Sequence, residues 1–295
     1  MLNKLHLLFG FVFGLLPLAQ AQITKEFKVE QRTGYNLVYV DFNVYKGVSE
    51  IKREAGENPI HISSELSKVN ILPSFTFEIK DQILNSYLVH RNVESENLGK
   101  SLSYKLFPNS NNDFDHKWNV GLNSNFLYDL NFNFGIGKVS FDFSHLPISN
   151  CIIKSASADI KLDYSNKMAN SVKMDTMLVS INMGNLDAHH LNYTNAKHMI
   201  FETNYGTLNL SFSDKMPESC TITATVGAGK VELELPEENQ PFILKIKSTA
   251  MCRTSVPKNL KDIGNKTYVS KSYKENSENL MTFTIDVSVG SVTIK

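Results

Sequence analysis

The sequence has 295 residues and 30 Lys and Arg against 30 Asp and Glu, a formal charge of +0 at pH 7. That balance excludes the basic surplus of a nucleic-acid binder. The length suits one extended β domain or two closely joined ones.

In chain order, Met1–Ala21 reads as a signal peptide. Lys4 supplies the positive start, Leu7–Leu18 the apolar core, and Ala19-Gln20-Ala21 the small-x-small cleavage site. The apolar stretch is too short to span a bilayer comfortably, and no later stretch is longer. No cysteine follows the cleavage site, so no lipid anchor is expected there; the mature chain is expected to start at Gln22 and to work outside the cytoplasm, periplasmic or at the cell surface. Gln22–Tyr128 alternates in short runs, at Leu37–Tyr45, at Phe75, Phe77 and Ile79, and at Leu102, Tyr104 and Leu106; Pro108–Asp115 reads as a loop. We expect this region to be a β-rich cap, because a bare first layer would present an unpaired sheet edge.

From Asp129 to Lys295 one phrase repeats: an alternating run, a small corner residue, and a second alternating run. The corner residues are Gly137, Ala158, Gly184, Gly206, Gly229 and Gly290, separated by 21, 26, 22, 23 and 61 positions. Two and four positions after each corner the residues are apolar, from Val139 and Phe141 to Val292 and Ile294; the positions between are polar. Period-two alternation marks a half-buried strand, and glycine suits a sharp bend between strands. The near-constant step predicts an all-β fold, a β-solenoid of stacked coils of 20–26 residues. Hairpin turns of a β-sandwich are the alternative, with more variable loops. Cys252–Leu280, with Pro257, Gly264 and the polar run Lys271–Asn279, interrupts the pattern and reads as a loop or hairpin standing off the stack. The cysteines Cys151, Cys220 and Cys252 are odd in number. Cys151 and Cys220 lie three coils apart, about 14 Å at ~4.8 Å per coil, too far to bridge. A Cys220–Cys252 disulfide stays open beside the reading that they pack as small hydrophobes.

The stretches DLNFNFGIGKVSFDFSHLPISN, TATVGAGKVELELPE and the closing DVSVGSVTI resemble the toast-rack or adhesin-type domain, over most of Tyr35–Lys295. The resemblance implies a stacked-strand fold, an envelope location, kinship with the C-terminal part of envelope-stress regulators, and no established activity. It carries over no catalytic or binding residue.

Candidate chemistry lies on the outward positions. Asp142 and Asp163 fall on one ladder roughly 5 Å apart, near the carboxyl spacing of a retaining glycosidase. A flat outer face offers no cleft for a sugar ring, however. His189 with Asp163 and Asp187 forms a weak cation candidate, whereas His190, adjacent in the same strand, should point inward. No nucleophile elbow, phosphate loop or metal-spaced cysteine pair occurs. The reading is an exported, non-enzymatic scaffold with no cofactor that binds an envelope protein or a surface glycan. The binding surface would be the ladders Asp142, Asp163, Asp187, Lys230, Glu232 and Glu234 or, preferentially, the Cys252–Leu280 excursion. An envelope-stress sensor module and a polysaccharide-acting enzyme are the rival readings.

Overall fold

The computed structural model describes residues 23–30, 32–67, 72–90, 116–237 and 239–295. The signal-peptide reading, the 102–106 alternation and the 108–115 loop lie outside these residues. The described chain is all-β, apart from one short 3-10 turn at Leu191–Thr194.

Six long strands form the body: β2 (Leu37–Arg53), β7 (Tyr128–Asp142), β8 (Ile148–Asp163), β9 (Met174–Ala188), β10 (Ala196–Ser211) and β11 (Cys220–Glu234). A seventh, β16 (Met281–Ile294), joins them. Neighbours pair in parallel in the order β2-β7-β8-β9-β10-β11-β16. Parallel neighbours ordinarily need a crossover of a dozen or more residues, yet only residues 143–147 join β7 to β8. A straight strand of this length would span roughly 45–50 Å, beyond the reach of about 20 Å that such a link has. Each long strand must therefore double back on itself.

The burial pattern shows where. In β7 the buried residues are Tyr128, Leu130, Phe132 and Phe134, then Val139 and Phe141, so the buried parity switches across Gly137. The two halves face each other: the Phe132 and Phe141 rings meet at 5.2 Å, edge to face. The core is the slot between the halves. One of its rows runs Phe42, Phe132, Ile153, Val179, Phe201, Ala224, Ile285 and Ile246 in register.

The corner glycines stack in the same register, Gly184 on Gly206, Gly206 on Gly229, and Gly229 on Gly290. Gly206 has φ 152°, and a Cβ placed on it would sit 1.7 Å from the carbonyl oxygen of Gly184. Conformation and close approach thus both demand glycine here. Ala158 is different: its φ is not in the left-handed region, and the β8–β9 pairing skips from Ser157↔Met183 to Ile160↔Leu186 around it. The register also reaches back past Asp129, because Gly47 in β2 pairs with Gly137 and has φ 130°.

Both ends are layered out of sequence order. β5 (Ile83–His90) and β6 (Lys117–Leu122) lie side by side on β2, one against each half. β12 (Phe242–Ser248) and β13 (Cys252–Ser255) do the same on β16. β16 is therefore seated between β11 and the β12/β13 layer, and β2 between β7 and the β5/β6 layer. Antiparallel strands cover the outside: β4 (Ser74–Lys80) on β5, β3 (Ile60–Leu66) on β6, and β1 (Ile23–Val29) on β3. At the other end β15 (Thr267–Val269) pairs with β12 and β14 (Lys261–Asp262) with β15. The segment expected to stand off the stack is thus knitted into it through β13, β14 and β15. Buried Val269 and Ser270 anchor it, and the Ser270 hydroxyl accepts from Phe242 N at 3.0 Å.

Candidate functional site

The outward side chains after the corners form two rows. The first runs Val48, Lys138, Asp159, Asn185 and Thr207; the second runs Glu50, Ser140, Lys161, Asp187 and Asn209. These strand halves twist relative to one another, and the rows line a concavity of about 860 Å³ that also touches Lys117 and Asn119 of β6. The face expected to be flat is therefore a groove. Its strand spacing of ~4.8 Å puts the five long strands across roughly 19 Å.

Part of the groove is internally satisfied. The Asp159 carboxylate accepts from the Asn185 backbone N–H at 3.2 Å and side-chain amide at 2.9 Å. Glu50 pairs with Lys52 at 3.0 Å, and Lys117 with Glu65 at 3.1 Å. By contrast, Lys138, Ser140, Lys161, Thr207 and Asn209 make no side-chain hydrogen bond or ion pair among the described residues. Two ammonium groups, two hydroxyls and an amide are thus presented to solvent on a rigid frame, suited to polar recognition.

The sequence-predicted carboxylates lie at the strand ends beyond the groove. Asp142 and Asp163 are cross-strand partners, but each is committed elsewhere. Burial pushes the Asp142 carboxyl up, yet hydrogen bonds from Ser144 and Ser165 outweigh it and hold the group below its usual range. A carboxylate so stabilised is a poor proton donor. Asp163 Oδ1 lies 2.8 Å from His190 Nδ1.

The cation candidate is also taken apart. Asp187 faces His189 at 3.2 Å, whereas Asp163 faces His190. β9 ends at Ala188, so the two histidines are not in a strand; His190 turns into the left-handed region at φ 54° before the 3-10 turn and is half-buried. Among the described residues no three His, Cys, Asp or Glu side chains are arranged to hold a metal ion. All three cysteines are free. Burial pushes the Cys220 thiol up to about 12 and that of Cys151 still higher, so both pack as apolar groups.

Two features escaped the sequence reading. Gly47 was hidden because Ser49, 2% exposed, occupies the first inward position after it where other copies carry an apolar residue. His61 is bracketed by Glu26 at 3.0 Å and Glu54 at 2.9 Å, a tie between β1, β3 and the β2–β3 turn. A Cβ on Gly121 would overlap that Glu54 carboxylate.

A stack of in-register bent strands defines the class of the fold, an all-β protein of parallel, stacked layers. Residues 40–184 match the family described as the N-terminal domain of toast_rack, DUF2154, which supports a toast-rack family for this stretch. Among solved structures, the chain is similar to a putative cell adhesion protein from Clostridium sporogenes, with 15% identity, TM-score 0.47, and 93% of this chain and 99% of the other covered. It is also similar to a putative adhesin from Bacteroides fragilis, with 11% identity, TM-score 0.39, and coverage of 94% and 98%. A putative adhesin from Parabacteroides merdae aligns at 12% identity and TM-score 0.33, with coverage of 93% and 96%. No curated protein matches the chain. No helix among the described residues is long and apolar enough to cross a membrane.

Proposed function

We propose that this chain is an exported, non-enzymatic β-solenoid with coils of 20–26 residues and a β-rich cap over 22–128, and that it acts as an adhesin-like scaffold holding a surface glycan in its groove. The observation that carries the reading is the 860 Å³ groove with its unpaired hydroxyl, amide and ammonium groups at strand spacing. A chain of sugar units laid along the stack would meet such groups on β7, β8 and β10, and hydroxyl-rich ligands are recognised by placed polar groups of this kind. The commitment of Asp142 to Ser144 and Ser165 supports the non-enzymatic part. Loops on a rigid frame often carry binding, but here the 252–280 segment is bound into the sheet, which favours the groove over it.

The test is an array of bacterial surface glycans probed with wild-type protein and with Lys161→Ala/Thr207→Ala/Asn209→Ala. The wild type should retain at least one glycan, and the triple variant should lose that retention while keeping its circular dichroism. Retention unchanged in the variant overturns the groove as the site. Turnover of a retained glycan overturns the non-enzymatic reading.

A further inference from the structure

The bent edge of the stack is a second surface. Immediately before the corners, the register aligns Lys46, Ile136, Ser157, Met183, Tyr205, Ala228 and Val289. Met251 continues the line, since its carbonyl accepts from Gly290 N at 3.2 Å. Eight large apolar side chains are exposed among the described residues; three of them (Tyr205, Met251 and Val289) lie on this line, and Val48 sits just past the Gly47 corner. Tyr205 is 60% exposed and Met251 68%. Single exposed apolar groups mean nothing, but Tyr205, Val289 and Met251, with half-buried Ala228 between the first two, form one run at the β10–β16 end of the line, and such a run marks a contact surface. From β2 to β13 the edge crosses eight strands, roughly 34 Å at ~4.8 Å per step.

Charge along the edge is one-sided. The corner-flanking positions carry Lys46, Lys138, Lys230 and Arg253 against Asp159 alone, although the whole chain is neutral. Lys230 shares its ammonium with Glu232; Lys46 and Arg253 have no ion-pair partner among the described residues. Apolar groups in line with unpaired cations match a surface that offers negative charge at its rim and hydrocarbon beneath. We propose that this edge rests on an anionic lipid surface, with Tyr205, Val289 and Met251 entering the headgroup boundary and Lys46 and Arg253 meeting lipid phosphates. A polar glycan would leave the apolar line uncovered, and a second copy would bring like charges together along its length. The groove shares Val48, Lys138 and Asp159 with this edge, and its second row, from Glu50 to Asn209, lies further along the strands.

The test is sedimentation with vesicles of phosphatidylcholine alone and of phosphatidylcholine with phosphatidylglycerol, across a salt series. The protein should pellet with the anionic vesicles only, and less as salt rises. Tyr205→Ser/Val289→Thr/Met251→Ser, and separately Lys46→Glu/Arg253→Glu, should each weaken partition by at least about tenfold with circular dichroism unchanged. If the apolar triple variant fails to fold, the charge-reversal pair decides, because Arg253 is exposed, Lys46 only half-buried, and neither has an ion-pair partner among the described residues. Absence of pelleting, equal pelleting on phosphatidylcholine alone, or variants that bind like the wild type would overturn the proposal. So would a wild-type dimer, seen by light scattering, that the apolar variant dissociates.

Discussion

Replacing Gly206 by alanine tests the corner mechanism directly. Its backbone lies at φ 152°, where an L side chain costs about 1–3 kcal/mol. The added methyl would fall 1.7 Å from the Gly184 carbonyl oxygen. Relief requires two paired backbones to separate by more than about an ångström, which sacrifices one or two ladder hydrogen bonds at ~1 kcal/mol each. The expected loss is therefore about 4 kcal/mol, or a Tm lowered by roughly 8–16 °C for a chain of this size. Ala158→Gly is the matched comparison, since Ala158 occupies the equivalent place without positive φ. It should cost about 0.5–1 kcal/mol through chain entropy alone. Thermal melts followed by circular dichroism, with urea titrations as a second measure, give both values. Similar losses for the two variants would refute the claim that the corners demand glycine.

Asp142→Asn should flatten the acid limb of stability. Hydrogen bonds from Ser144 and Ser165 hold the Asp142 carboxyl below its ordinary value in the folded state, so its contribution is present above the ordinary carboxylate value of about 4 and disappears as pH falls through the lower folded value; an unchanged acid limb would contradict this. Phe132→Ala removes a fully buried ring that touches Phe42, Phe134 and Phe141, and should cost about 3–5 kcal/mol in urea unfolding. Thiol titration with an aromatic disulfide should report Cys252 in the native protein and Cys151 and Cys220 only after denaturation, as their exposure dictates; three fast thiols would mean that the core is open. Intact mass of protein recovered from outside the cytoplasm should correspond to a chain starting at Gln22, and a mass retaining Met1–Ala21 would contradict the signal-peptide reading.

The strand halves after the corners were legible because side-chain parity is a local property: Val139 and Phe141, or Val231 and Leu233, state their burial in five residues. The corners were legible wherever glycine stood alone between two such runs. Gly47 was not, since Ser49 breaks the apolar pattern just beyond it. Layer order at the ends could not be read either. β16 and β12 carry equally good alternating patterns, and only long-range pairing decides which lies inside. The groove depends on twist accumulated over five strands, which no single strand encodes. The proposed Asp163, Asp187 and His189 set failed for a local reason: β9 stops at Ala188, and the chain leaves strand geometry just where parity was being used to aim the histidines.

The placement of β16 has a mechanical consequence. A strand at the rim of a sheet peels away one hydrogen bond at a time when its end is pulled. β16 is held along thirteen register positions by β11 on one side, and by β12 and β13 on the other. Tension applied along it must slide it between two parallel partners, so the bonds of both ladders bear the load together and yield only collectively. The mirrored burial of β2 does the same at the opposite end. A molecule tethered at one end and loaded at the other would therefore transmit pulling force through its interior layers while its outermost strands stay slack.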